Sequence, residues 1–143
     1  MSPTAAAEAF ERAPLLADQV GEGDAAALIA RARALLVDMT EAQKIAVLNA
    51  HPRIGARSGL SARSAAEQRN TDSTDPATLR TLDLLNADYE RKFGFRFVVF
   101  VHGRSRAEIV PIVRARLARR RDEELATGLE EFLAIARVRL ERA

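Results

Sequence analysis

Apolar residues recur along this chain at spacings of three and four with charged residues between them, the periodicity of amphipathic α-helices. The clearest run is Leu79, Leu82, Leu85, Tyr89 and Phe93. These share one face between a start at Asp75-Pro76 and a C-cap at Gly94. An earlier helix follows the breaker Gly21-Glu22-Gly23; Asp24 caps it, and Leu28, Ala32, Leu35 and Leu36 form its inner face. Thr40 and Gln43 make a capping box for the next, which carries Ile45 and Leu48 with Asn49 beside them. It must end near Ala50, because His51 precedes a proline. Pro14 opens a short helix over 15–20, and Ser64 starts another. Ser105 with Glu108 is a further capping box, opening a helix over Arg106–Arg119 that Pro111 should kink or delay. The last helix runs from about Asp122 to Arg142, with Leu125, Leu129, Phe132, Ala136 and Leu140 as its stripe.

Three stretches depart from this periodicity. Positions 53–63, with Gly55 and Gly59, read as an irregular loop, and 70–75 as a polar linker. Phe95–Val101 is β-branched and aromatic, too short for a helix, and reads as an extended stretch or buried turn. The expected fold is all-α: a single domain over 1–143, a multi-helix bundle with one short extended segment near residues 95–101.

Composition narrows the function classes. A chain of 143 residues, 48% hydrophobic and 29% charged, suits a globular domain with a core of its own. No run approaches the roughly 18 to 20 apolar residues that span a bilayer. Ala5-Ala6-Ala7 is short, is followed by Glu8 and Glu11, and lacks a basic flank, so it does not read as a secretory signal. With no cysteine there is no disulfide, thiolate metal site or cysteine nucleophile, and the expected compartment is the cytoplasm. The pI of 9.6 invites a nucleic-acid reading, yet the net charge is only +2. The dense basic run from Arg114 to Arg121 is followed at once by Asp122-Glu123-Glu124, whereas a nucleic-acid footprint collects positive charge with few acids among it. No nucleic-acid or membrane partner is expected.

Chemistry concentrates at two short segments. His51-Pro52 places one of only two histidines where a helix stops, and Ser64-x-x-Glu67-Gln68 follows thirteen positions on. An imidazole and a carboxylate are the minimum equipment for acid/base work near neutral pH. Each has an ordinary reading too. His51 can hydrogen-bond the last carbonyls of its helix, and Ser64 with Glu67 can be a capping box. A helix N-terminus nevertheless offers donors to an anionic or carbonyl-rich ligand, and the Gln68 amide both donates and accepts. In the last helix Arg139 falls about 60° from the centre of the apolar stripe, whereas Arg137 falls about 100° away on the other side. Arg139 can therefore point a guanidinium into a cleft, as a bidentate donor to a carboxylate, or snorkel to water. The extended Phe97–Val101 stretch must find partners for its backbone groups in protein, water or ligand. His102 reads as a surface residue, and two histidines without useful spacing make no metal site.

Taken together, these residues resemble a known family. His-Pro-x-x-Gly at 51–55, Ser-x-x-Glu-Gln at 64–68, Asn86-x-x-Tyr89-x-x-x-Phe93-Gly94-Phe95-x-Phe97 and Ile135-x-x-x-Arg139-Leu140 occur in the order seen in the 2-oxo-4-hydroxy-4-carboxy-5-ureidoimidazoline (OHCU) decarboxylases of urate breakdown. The similarity extends over roughly residues 8 to 142. It implies an all-helical homodimer, without metal or organic cofactor, that converts OHCU to (S)-allantoin. It further implies His51 as the catalytic acid/base with Glu67 as its catalytic partner. Pro52, Ser64, Gln68, the backbone of Phe97, Val98, Val99, Phe100 and Val101, and the Arg139 guanidinium would contact substrate. The chain departs from the family pattern in a shorter loop between His51 and Ser64, in Arg96 where a proline is common, and in Arg69-Asn70 where small residues are usual. Two other functions compete: the same scaffold acting on another cyclic ureide or carboxylated imidazoline, and a non-catalytic helical interaction or nucleic-acid module.

Overall fold

Side-chain caps decide where the helices begin. In the computed structural model, which describes residues 7–11, 13, 16, 19–54 and 75–142, every regular element is helical. Helix α1 (Ala25–Asp38) starts where the Asp24 carboxylate accepts the Ala27 N–H at 2.8 Å. Helix α2 (Glu41–Ala50) starts at the reciprocal Thr40–Gln43 box, with bonds of 3.2 and 2.9 Å. Helix α3 (Pro76–Phe93) is capped by Asp75, and Gly94 ends it at φ 80°, a left-handed conformation that glycine adopts without strain. Helix α4 (Arg106–Leu117) opens at the Ser105–Glu108 box. Helix α5 (Arg121–Glu141) begins with Asp122, Glu123 and Glu124 in its first turn, where acids complement the helix dipole. The helix expected from Ser64, the polar stretch before Asp75 and positions 55–63 of the expected loop lie outside the described residues, as does half of the helix expected over 15–20, of which Leu16, Gln19 and Val20 are described and lie in turns and a bend.

Two boundaries differ from the sequence reading. Pro111 does not delay α4, which starts at Arg106 and runs through it. A proline in the second turn deletes a single bond, to the Ala107 carbonyl, and both residues are exposed so that water serves that oxygen. The helix also stops at Leu117 rather than Arg119, because Arg120 must turn extended to begin α5. The expected inner faces are found, with shifts of a residue. Ile29 joins Leu28, Ala32 and Leu36 in the core, and Leu35, Ile45, Leu85 and Leu125 are only partly buried.

Helix α5 is the spine: α1 and α2 both pack on it, while α3 pairs with α4. Gly128 permits the close approach of α2, since a Cβ there would lie 3.2 Å from a Leu48 methyl. The stretch from Phe95 is neither helix nor strand, and its Phe95, Phe97, Val98 and Val99 are buried. Tyr89 packs tilted or edge-on among Phe93, Phe95 and Phe97, with ring centroids 4.6, 6.0 and 5.3 Å away.

A polar network runs through this apolar interior. Glu124 has 0% exposure and accepts from the Tyr89 hydroxyl (2.7 Å), Arg116 Nε (2.7 Å) and Arg119 (2.8 Å). Arg116 also donates to the Val98 carbonyl at 2.7 Å and lies 4.5 Å from the centre of the Phe97 ring. Arg121 donates to the Phe93 carbonyl at 2.8 Å and pairs with Glu41. Three of the five arginines between 114 and 121 are thus engaged by the fold itself. Replacing Glu124 by Ala strands the Arg116 charge and the Tyr89 hydroxyl in a dry interior. The expected loss of unfolding free energy is about 3–5 kcal/mol, read from urea denaturation.

Candidate functional site

His51 closes α2. Its N–H donates to the Leu48 carbonyl at 3.1 Å, its backbone turns extended (φ −81°, ψ 136°), and Pro52 forbids continuation. Neighbouring elements hold this turn. From the extended segment, Arg96 donates to the carbonyls of Asn49 (2.9 Å) and His51 (3.0 Å), and its N–H reaches the Asn49 side chain at 3.0 Å. From α3, the buried Asn86 amide donates to the Ile54 carbonyl at 3.1 Å, and Glu90 pairs with Arg53 at 2.6 Å. Arg96, the departure from the family's usual proline, therefore takes the helix-end carbonyls that His51 would occupy in its purely structural reading.

The imidazole is instead directed inward. The residue is 8% exposed, and the ring meets Phe132 edge-on at 6.2 Å. Its Nδ1 lies 3.9 Å from Glu11 Oε1, too far for a hydrogen bond, and finds no hydrogen-bond partner among the described residues. Burial, with the positive charges of Arg139 and Arg96 behind it, lowers its pKa to about 4, and the Glu11 carboxylate pulls the other way. At neutral pH the ring is uncharged.

Arg139 sits deeper than its helical phase suggested. It is 2% exposed, and one guanidinium nitrogen contacts Glu11 Oε1 at 2.8 Å and the carbonyls of Glu8 and Ala9 at 3.4 Å each. His51 and Arg139 thus converge on one carboxylate. Glu11 was not among the expected site residues. It follows a single helical turn and adopts φ 52°, so no local periodicity marks it. The available signal was indirect: an arginine on the edge of a buried face needs a counter-charge.

Arginine side chains satisfy much of the extended segment. Arg116 serves the Val98 carbonyl, Arg104 serves those of Phe100 and Val101, and the Phe100 N–H reaches Glu131 at 3.4 Å. Pro52, Phe97, Val98 and Val99 are buried, whereas Phe100 and Val101 are partly exposed. His102 is exposed, as expected. Ser64, Glu67 and Gln68 lie outside the described residues. Among the described residues no cluster of His, Asp or Glu could hold a metal ion, and no helix is long and apolar enough to cross a membrane.

A profile of the OHCU decarboxylase family matches residues 2–141. The chain belongs to that family. Among curated OHCU decarboxylases, that of Halalkalicoccus jeotgali is 34% identical over 106 residues, 73% of this chain and 60% of the relative. That of Haloferax volcanii is 31% identical over 105 residues, 72% of this chain and 62% of the relative. The chain therefore spans about three fifths of these two relatives. The fold is shared with a crystal structure of an OHCU decarboxylase in the presence of (S)-allantoin: TM-score 0.77, 23% identity, covering 99% of this chain and 97% of that one. A crystal structure of (S)-allantoin synthase gives a TM-score of 0.74 at 20% identity, over 98% of this chain and 48% of that one.

The neutral, buried His51 has a consequence for stability. Unfolding restores its pKa to about 6.5 from about 4, so between those values the unfolded chain binds the extra proton. Its contribution is fully present above pH 6.5 and is lost as pH falls toward 4. Urea denaturation at pH 7, 5.5 and 4.5 should show His51→Gln losing less stability than the parent over this window, by on the order of 1 kcal/mol per pH unit.

Proposed function

We propose that this protein is a cofactor-independent decarboxylase that converts OHCU to (S)-allantoin, working in the cytoplasm as a homodimer of single-domain subunits. The observation that carries this reading is an uncharged, buried imidazole at the family's His-Pro position, sharing a carboxylate with Arg139, in a chain that the family profile matches from 2 to 141. The names of the relatives in Halalkalicoccus jeotgali and Haloferax volcanii point to the same step.

Decarboxylation here needs no external electron sink. The bond to the carboxylate breaks, CO₂ leaves, and its electron pair enters the conjugated ring as an enol-type intermediate, with one proton taken up from solvent. The 4-hydroxyl then gives up its proton as the ring carbon bearing the ureide gains one, on a single face. A neutral His51 suits this exchange, because it can accept a proton before returning one. In this reading Glu67 accepts N–H bonds from the ureide, and Arg139 complements the substrate anion. Pro52, Ser64, Gln68 and the backbone from Phe97 to Val101 fix the ring so that the carboxylate stands out of its plane.

The test generates the unstable substrate in situ from urate with urate oxidase and hydroxyisourate hydrolase, adds this protein, and follows optical activity. Faster, enantioselective appearance of (S)-allantoin is the expected result, and His51→Ala should cost about 10²–10⁴-fold in rate. Decay no faster than the spontaneous reaction, with racemic product, overturns the proposal.

A further inference from the structure

Glu11 occupies an unusual position. Its side chain is only 7% exposed, and its backbone is left-handed at φ 52°, a conformation that costs a non-glycine residue roughly 1–2 kcal/mol. Neutralising the buried Arg139 accounts for the presence of a carboxylate. It does not account for the second contact. The same oxygen that lies 2.8 Å from Arg139 also faces His51 Nδ1 at 3.9 Å, and that nitrogen makes no hydrogen bond with any described residue.

A neutral imidazole carries one N–H and one lone pair. A lone pair on Nδ1 would point at an anion; a hydrogen there points its positive end at it. We propose that Glu11 is a positioning residue that holds His51 in its Nδ1–H tautomer, leaving Nε2 as the nitrogen that exchanges protons with substrate. The role in turnover rests on the function proposed above; the tautomer does not. Among the described residues, the charged groups facing the ring are Glu11 from the N-terminal turn, Arg139 from α5 and Arg96 from the segment after α3, with Phe132 meeting the ring on its apolar side. When Nε2 takes a proton, Glu11 alone of the three charges favours the imidazolium. Burial above all, with the nearby Arg139 charge, keeps the ring neutral at rest, so that it is protonated only transiently.

The chain has two histidines, so ¹⁵N-histidine labelling of the whole protein gives two rings, with the exposed His102 as internal control. The parent protein at pH 7 should show His51 as the Nδ1–H tautomer. Glu11→Gln should move a substantial part of that population to Nε2–H and lower the His51 pKa further, while leaving His102 unchanged. In the optical assay the same variant should lose at least about tenfold in kcat with KM little altered, and shift the acid limb of the pH–rate profile downward. A parent His51 already in the Nε2–H form overturns the proposal without any variant. So does a folded Glu11→Gln protein whose tautomer and pKa match the parent. Should Glu11→Gln not fold, Glu11→Asp, which keeps the charge and withdraws it from the ring, must still change the tautomer ratio or the pKa of His51, and no change overturns the proposal. Failure of the optical assay with the tautomer as stated sinks the decarboxylase reading and leaves the role of Glu11 in ordering the ring intact.

Discussion

A carboxylate with no exposed surface must find all its donors within the protein, and Glu124 finds them on three elements: Tyr89 on α3, Arg116 on α4 and Arg119 just beyond it. Burying such a cluster is costly unless each partner is satisfied, so the geometry is strict. From it a chain of bonds extends outward. Arg116 carries the constraint to the Val98 carbonyl, the segment containing Val98 presents Arg96, and Arg96 grips the carbonyls of Asn49 and His51. The placement of the His51-Pro52 turn therefore depends on Glu124, an acid in the first turn of α5 that reaches it only through these intermediaries.

Helix α5 carries a buried charge near each end. Glu124 near the start orders α3, α4 and the extended segment; Arg139 near the finish gathers Glu11 and His51. Between them Gly128, Leu129, Phe132 and Leu133 supply apolar packing, and the missing side chain at Gly128 lets Leu48 of α2 seat against the spine. Helix α2 is thereby fixed along its length by packing and at its end by Arg96. A histidine at that end inherits both restraints, the kind of positioning that the proposed proton transfer needs.

Local rules made most of the fold legible. Asp24, the Thr40–Gln43 and Ser105–Glu108 boxes, Asp75-Pro76 and Gly94 each act on groups within four residues, and each is where the sequence pattern placed it. The break in helical structure over Phe95–Val101 was also legible, from its β-branched and aromatic composition. What local pattern cannot carry is pairing at a distance. Arg114 to Arg121 reads as a solvated basic run, but Arg116 belongs to a core whose other members come from α3 and α5. Arg96 reads as an oddity, and its purpose appears only when the end of α2 lies beside it. Helical phase put Arg139 at the edge of the buried face and could not supply Glu11, 128 residues away in sequence.

The segment Phe95-Arg96-Phe97-Val98-Val99-Phe100-Val101 is, by composition, a strand in search of a sheet. No neighbouring strand pairs with it among the described residues; guanidinium groups from Arg104 and Arg116 occupy its carbonyls, and the helices cover its aromatic face. The protein thus keeps a segment of strand-forming composition behind side-chain braces. Local opening of α4 would withdraw the Arg116 brace and bare this segment, whose one charge is Arg96, to pairing with another copy. Aggregation of this protein would then begin with detachment of one helix, well before the bundle as a whole comes apart.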